Sequence, residues 1–280
     1  MAKLIRGYTC GQVFVAPPAY LHFYLMKSKA DVSLALMQNI HDVGIMSDLI
    51  SDGAKEEVSG KVLDITRQHH IRTGRTEPYS QWQNRAEGEI RELKKAALRQ
   101  QRSSGSPQKL WCYLMEYVAA TRRLTAWNNP SFHGRTAAET IEGNTPDISE
   151  FAQFGWYEYV WYIDPVAAFP EMRRKLGRFI GVATDTGAAM TFSILPLSCK
   201  PIARSSVQAL TDEEKTQPAI QLLMAAFDTS IRAKIGDQIA QADFDPTIAD
   251  FAPEPYAFDI EDSDNDMQWD PVQLDHVRED

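Results

Sequence analysis

The fold of this 280-residue chain is decided by the stretch Asp48-Leu49-Ile50-Ser51-Asp52-Gly53-Ala54-Lys55-Glu56. Its first four residues predict a short strand, and the Asp-Gly pair predicts the turn that ends the strand. Two strand-like runs at 13–15 and 21–26 and a helical stripe at 29–43 precede it. This order of strand, strand, helix and strand indicates an α/β layer rather than a helical bundle.

The remaining chain contains two further kinds of pattern. Helices are predicted at 56–69, 84–101 and 109–127, with a short strand at 71–73. From residue 155 onward, four strand-like runs separated by Gly and Pro favour a small barrel or sandwich, at 155–163, 179–184, 190–195 and 201–207. One helical piece at 219–241 is followed by Pro-, Asp- and Glu-rich sequence whose composition predicts disorder.

The charge is divided unevenly between the body and the tail of the chain. Residues 211–280 contain 18 acidic and 4 basic residues, a balance of −14, whereas residues 1–210 contain 25 basic and 20 acidic residues, a balance of +5. A basic body with an acidic tail indicates a body that meets a polyanion. The alternative, which charge alone favours, is a globular body followed by a solvated linker.

Several functional classes are disfavoured by composition. No run reaches the roughly 18 apolar residues of a membrane span, and the N-terminus lacks the apolar core of a secretory signal. The three cysteines, Cys10, Cys112 and Cys199, are widely separated and form no CxxC pair, so neither a disulfide framework nor a zinc site is supported. We therefore expect an intracellular protein, nuclear or cytoplasmic.

Two carboxylates lie at positions that suit a role in a functional site. Asp52 follows a predicted central strand, where open α/β sheets place their ligands. Glu87 lies in the first turn of the long polar helix, and 34 residues separate the two. Each also has a structural explanation, because an Asp-Gly pair often only forms a turn and a Glu at a helix start complements the helix dipole.

The wider context of these carboxylates resembles a known family. Ser51-Asp52-Gly53-Ala54-Lys55-Glu56, followed by Pro78-Tyr79-Ser80-Gln81-Trp82-Gln83-Asn84-Arg85-Ala86-Glu87, is similar to the catalytic core of retroviral and retrotransposon integrases. The resemblance implies that Asp52 and Glu87 are catalytic, metal-binding carboxylates of an RNase H-like core. Glu89 remains an alternative to Glu87, because Arg85 replaces the Gly that the family usually carries.

Further motifs resemble the copia type of retrotransposon integrase. They are Gly134-Arg135-Thr136-Ala137-Ala138-Glu139-Thr140-Ile141-Glu142-Gly143-Asn144-Thr145-Pro146-Asp147, Phe151-Ala152-Gln153-Phe154-Gly155 and Arg173-Arg174-Lys175-Leu176-Gly177-Arg178-Phe179-Ile180-Gly181-Val182-Ala183. The implied fold class is an α/β RNase H-like core, a mixed sheet with flanking helices, plus a small C-terminal β-barrel-like domain and a disordered acidic tail. The implied domains are a catalytic core at 1–146 that lacks its first strand, a β domain at 147–210, and an acidic linker at 211–280, partly helical and then disordered.

The departure from the family concerns its first catalytic Asp. No Asp or Glu precedes Asp31, which belongs to the predicted helix, so the resemblance implies an N-terminally truncated core. The family's His/Cys zinc module is absent from the sequence as well. The implied function is that of the integrase region of a retrotransposon polyprotein, which binds DNA and, when complete, catalyses strand transfer with Mg²⁺ or Mn²⁺. The alternative is a catalytically dead DNA-binding or scaffold remnant, and we expect this chain alone to be inactive.

Basic residues supply the expected contacts with DNA phosphates. One group follows Glu87 along its helix, and a second lies beside the aromatic strand run: Arg91, Lys94, Lys95, Arg99 and Arg102, then Arg173, Arg174 and Lys175. Phosphate contacts of this kind position DNA without reading its sequence. A solvated helix with internal charge pairing is the alternative for the first group. The sequence does not decide whether copies of the chain associate.

Overall fold

A computed structural model of the chain describes residues 6–17, 19–76, 85–126, 133–167, 169–187 and 189–236. The first part contains β1 (Cys10–Ala16), β2 (Tyr20–Met26), α1 (Val32–Val43), β3 (Asp48–Ser51), α2 (Gly60–Gln68) and β4 (Arg72–Arg75). The middle part contains α3 (Arg85–Ser104), α4 (Trp111–Leu124), α5 (Ala137–Glu142) and α6 (Ser149–Ala152). The last part contains β5 (Tyr159–Ile163), β6 (Arg174–Val182), β7 (Phe192–Leu195), β8 (Ile202–Arg204), β9 (Val207–Ala209), α7 (Asp212–Thr216) and α8 (Pro218–Ile235). The sequence predicted β3 with these bounds, whereas α5, α6 and α7 are additional.

The first two strands form an antiparallel hairpin that is covered on both faces. Val13 lies opposite Phe23 in its register. Because side chains alternate along a strand, Val13, Leu21 and Phe23 share one face and pack into the core with α3 and α4. Phe14 and Tyr24 lie on the other face and contact α1. The hairpin is therefore the middle layer between two groups of helices.

Within the described residues, the hairpin and the parallel pair β3–β4 are separate two-stranded sheets. Both belong to the same layer, because Phe14 of the hairpin and Leu49 of β3 share an apolar cluster with Leu36 of α1 and Val62 of α2. A two-stranded sheet is marginal by itself, so these helices stabilise both pairs. The continuous mixed sheet of an RNase H-like core stays a prediction.

The helices α3 and α4 differ in how much apolar surface they bury. α3 buries only a narrow stripe that includes Leu93 and Ala97, and the rest of its surface is polar. α4 buries Cys112, Leu114 and Val118 among others, since it packs against α3, the hairpin and β6. α3 is therefore held along one side, and the exposed side chains among its described residues are all polar or charged. Among the helices of the described residues, none combines the length and apolarity that crossing a bilayer requires.

The last five strands form one antiparallel sheet in the order β8-β7-β6-β5-β9. Its two outermost strands are consecutive in the chain, since β8 ends at Arg204 and β9 begins at Val207. Three Cα steps span at most about 11 Å, whereas the outer strands of a flat five-stranded sheet lie about 19 Å apart. The sheet must therefore curl strongly, as the predicted small barrel requires, although closure of a barrel stays a prediction.

The β sheet and the preceding helices share one hydrophobic core. Trp156, Trp161 and Ile180 from the sheet region belong to the same buried cluster as Leu93 of α3. The helix α8 joins this cluster through buried residues such as Phe227. All described residues consequently fall in one compact unit. The predicted acidic linker thus begins with a packed helix, and its predicted disordered part lies outside the described residues.

A buried ion pair fixes α8 to the sheet. Arg178 of β6 contacts both carboxylate oxygens of Asp228 at 2.8 Å and donates a further hydrogen bond of 2.7 Å to the carbonyl oxygen of Tyr157. Its guanidinium also lies 3.3 Å from the ring centroid of Tyr159. Because a buried guanidinium needs a partner charge, Asp228 ties α8 to β6 in one arrangement.

A histidine of the hairpin lies beside an arginine of α4. His22 is placed between the rings of Tyr20 and Tyr24, and Arg123 Nη1 lies 3.0 Å from both ring nitrogens of His22. Burial first, and then the positive charge of Arg123, lower the pKa of His22 to about 4, while Asp42 opposes the shift. The folded protein therefore holds this imidazole neutral across the neutral range.

We expect His22 to make the protein acid-sensitive. The unfolded chain takes up a proton near the ordinary histidine pKa of about 6.5, but the folded chain does so only near pH 4. The contribution of His22 to the free energy of unfolding is thus present above about pH 6.5 and is lost as the pH falls towards about 4. After allowance for solvent screening, this loss should be about 2 kcal/mol.

Urea unfolding at about pH 7 and about pH 4.5 measures this effect. The variant His22→Asn should show a smaller loss of stability between the two conditions than the wild type. The matched control His41→Asn, at an exposed position of α1, should keep the full loss. Equal pH dependence in the two variants would contradict the assignment to His22.

Candidate nucleic-acid and metal site

The turn after β3 places Asp52 at the surface. Gly53 follows in a left-handed conformation with φ of 80°, which glycine adopts without a steric penalty. The carboxylate of Asp52 accepts a hydrogen bond of 2.9 Å from the backbone N–H of Ala54, and the side chain is otherwise exposed. β3 and β4 run parallel, so Asp52 stands at the carboxyl end of a parallel pair, the position at which α/β sheets bind ligands.

A second carboxylate, which the sequence analysis did not single out, adjoins Asp52. Glu57 is half-buried, and burial followed by hydrogen bonding and repulsion from Asp52 raises the pKa of the Glu57 carboxyl. Gln12 Nε2 of β1 donates a hydrogen bond of 3.2 Å to Glu57 Oε1. Asp52 and Glu57 are five residues apart, a spacing that matches neither helical nor strand periodicity, so the sequence pattern did not indicate that they are close. An irregular turn between them brings the two carboxyl groups together.

The structure separates the roles of the two candidate glutamates on α3. Arg122 of α4 donates hydrogen bonds of 2.8 and 3.2 Å to Glu89 Oε2, and the two side chains are only 15% and 12% exposed. Glu87 is half-exposed, and in the described part of the chain no hydrogen bond or ion pair engages it. The two residues lie about 200° apart around the helix. Glu89 therefore helps to pack α3 against α4, whereas Glu87 lies on the side of α3 that faces away from α4.

The predicted cations of α3 share the side of Glu87. Counted from Glu87 around the helix, they fall within about 140° of the circumference, and they are Arg91, Lys94, Lys95, Arg99 and Arg102. We call these five residues the α3 basic face. Lys95 contacts Glu92 at 3.0 Å, and Arg91 lies 3.9 Å from the same carboxylate. The other three side chains are exposed to solvent.

The second predicted group of cations is paired within the chain. Arg174 contacts Glu214 at 3.0 Å and lies over the ring of Trp161 at 4.6 Å. Lys175 contacts Asp164 at 2.7 Å, and this contact is the main reason that the pKa of Lys175 is raised. Arg173 is exposed. DNA binding by this group stays a prediction, and of its three cations Arg173 is the one for which the described residues show no ion pair.

A metal site is supported in part by the donor chemistry. Carboxylate oxygens at Asp52, Glu57 and Glu87 are the ligand type that Mg²⁺ takes in proteins. Within the described residues, however, no group of three or more His, Cys, Asp or Glu is arranged to hold a metal ion. Most of the chain between β4 and α3, at 77–84, lies outside the described residues. The expected approach of Asp52 and Glu87 to a metal-bridging distance stays a prediction.

We expect substitutions of the two glutamates to separate their roles. Glu89→Gln removes the negative charge that Arg122 contacts in a mostly buried position, and the free energy of unfolding should fall by about 3 kcal/mol. Glu87→Gln changes an outward side chain and should alter stability by less than about 0.5 kcal/mol. Urea denaturation of both variants measures the difference, and equal losses would contradict the assignment.

Comparison with solved structures gives a coarse structural similarity. No protein-family model and no curated protein sequence matches this chain. A chain in the cryo-electron-microscopy structure of the simian T-cell lymphotropic virus intasome in complex with PP2A regulatory subunit B56 gamma matches with a TM-score of 0.40. The sequence identity is 13%, and the match covers 71% of this chain and 72% of that chain. Two folds agree only coarsely at this TM-score, so a function must be inferred from this chain's own residues.

Proposed function

We propose that this chain is an integrase-type protein that binds duplex DNA along the α3 basic face. The observation that carries this proposal is the orientation of α3. Leu93 and Ala97 are buried and Glu89 is paired with Arg122, so the opposite side of the helix is exposed. That exposed side contains five cations and two carboxylates, Glu87 and the half-buried Glu92 beside Lys95, so positive charge predominates.

The spacing of these cations suits a phosphate backbone. Arg91 and Arg102 are 11 residues apart, which corresponds to about 16 Å along the helix axis. Each strand of B-DNA has one phosphate per about 3.4 Å of its axis, so this length spans about five phosphates. Exposed lysine and arginine side chains can adjust to this spacing, and their contacts would hold the duplex without selecting a sequence.

Asp52 and Glu87 are the residues that we propose to hold Mg²⁺ or Mn²⁺. The metal would polarise the entering and leaving oxygens of an in-line phosphoryl displacement. Asp52 is exposed and preoriented by its bond to Ala54, and the half-buried carboxyl group of Glu57 lies beside it. Glu87 would stand next to the α3 basic face, where phosphates would arrive. With two carboxylates on different segments, two ions would lack a common protein ligand.

A second function, DNA binding without catalysis, is favoured by a separate observation. The described strands of the first part form two separate pairs rather than one sheet. Asp52 follows one pair, and the described residues provide no three-carboxylate metal group. In this alternative, the α3 basic face still binds DNA, and the chain acts as a scaffold.

The DNA-binding proposal predicts a steep salt dependence. The full chain should bind a duplex of arbitrary sequence, and the logarithm of its affinity should fall linearly with the logarithm of salt concentration, because each phosphate contact releases counterions. The variant Lys94→Gln/Arg99→Gln/Arg102→Gln should reduce the slope by about 2 to 3. Fluorescence anisotropy with a labelled duplex at several salt concentrations measures the slope.

The matched control is Lys27→Gln/Lys29→Gln/Lys61→Gln, which removes three exposed cations outside α3. This control should keep the wild-type slope. Salt-independent binding, or equal effects of the two variants, would contradict the role of the α3 basic face. Absence of duplex binding by the wild type would refute the proposed function.

The metal-site proposal predicts no strand transfer by the chain alone in Mg²⁺ or Mn²⁺. Placing a strand-forming segment with one Asp ahead of Met1 should restore joining of DNA ends, because it supplies a ligand shared by both ions. In that restored protein, Asp52→Asn or Glu87→Gln should abolish joining and leave DNA binding nearly unchanged. Glu89→Gln should reduce joining much less per folded molecule. Strand transfer by the unaltered chain would show that two carboxylates suffice.

A further inference from the structure

The loop between β5 and β6 exposes large apolar side chains to solvent. Val166, Phe169 and Met172 are 84%, 98% and 82% exposed, respectively. Most large apolar residues of the described chain are buried or half-buried, so three such side chains in one hairpin loop are unusual. We call these three residues the loop tip.

The base of this loop is held in place. The backbone N–H of Asp164 donates a hydrogen bond of 2.8 Å to the carbonyl oxygen of Arg173, and the Asp164 carboxylate accepts one of 3.2 Å from the N–H of Val166. Ala167 is buried, whereas Val166 and Phe169 are exposed. The sheet therefore presents the loop tip on an anchored hairpin.

The apolar area of the loop tip is small and is bordered by charge. Three side chains of this size expose on the order of 450 Å², about half of what one partner contributes to a specific protein–protein interface. Asp164, Glu171 and Arg173 flank the loop tip and prevent the apolar surface from extending. A convex apolar tip of this size suits insertion into a narrow space better than docking on a flat protein surface.

We propose that the loop tip is a wedge that inserts between base pairs of duplex DNA. This inference rests on the DNA-binding function proposed above. Proteins that kink DNA insert Phe, Met or Pro side chains between base steps and place cations on the adjacent phosphates. Phe169 and Met172 supply the apolar side chains, and Arg173 is the adjacent cation.

The charges around the loop are compatible with an approaching phosphate backbone. Lys175 contacts Asp164 at 2.7 Å and Glu171 at 3.7 Å, so its ammonium group lies beside both carboxylates of the loop. Together with the exposed guanidinium of Arg173, it balances these two carboxylates and leaves the loop region without net charge. The repulsion that unpaired carboxylates would exert on phosphates is thereby reduced.

The test compares duplex binding by full-length variants with a duplex that contains 2-aminopurine. Phe169→Ala/Met172→Ala should lower the affinity about 5- to 50-fold, as expected for loss of stacking on bases. It should abolish the increase in 2-aminopurine fluorescence on binding and leave the salt dependence unchanged. Leu222→Ala removes an exposed apolar side chain of α8 and should match the wild type in all three measurements.

The outcomes separate the wedge from the α3 basic face. The α3 variant Lys94→Gln/Arg99→Gln/Arg102→Gln should reduce the salt dependence and, at saturation, keep the fluorescence increase. Wild-type fluorescence and affinity in Phe169→Ala/Met172→Ala would overturn the wedge and leave DNA binding by α3 intact. Loss of self-association, or of binding to phosphatidylserine vesicles, without a change on DNA would assign the loop tip to a protein or a membrane instead. Absence of duplex binding by the wild type would overturn both proposals.

Discussion

The candidate interface depends on the orientation of α3 about its own axis, because this orientation decides which side chains face away from α4. This helix is polar around most of its surface, so apolar burial at Leu93 and Ala97 alone would define its orientation only loosely. The mostly buried pair of Glu89 with Arg122 adds a directional contact, because a guanidinium bonds a carboxylate in a fixed geometry. Together these contacts direct Glu87 and the α3 basic face away from α4.

The same core couples the two halves of the described chain. α4 packs against the hairpin on one side and against β6 on the other, so the sheet region is not an independent appendage. Arg178 of β6 and Asp228 fix α8, which buries Phe227 in the common cluster. A DNA duplex that contacted both α3 and the β5–β6 loop would therefore meet two surfaces of one compact unit.

In the region around Asp52, the described residues bring two carboxyl groups together but provide no group of three metal ligands. The turn at Gly53 exposes Asp52, and Glu57 brings a second carboxyl beside it at the cost of a raised pKa. Gln12 joins this group from β1 and thus links the hairpin to the β3–β4 pair, which share no backbone ladder in the described residues.

The sequence by itself determined the order and type of most elements, because periodicity and turn residues such as Gly53 act locally. It also determined that the cations of α3 share one side with Glu87, since helical geometry fixes that relation. Only the tertiary structure decided that Glu89 faces Arg122 and that Glu57 adjoins Asp52. It also decided that Lys175 pairs with the carboxylates of its own hairpin loop. These contacts join distant segments or irregular turns, and their partners depend on how whole elements pack, which no local pattern encodes.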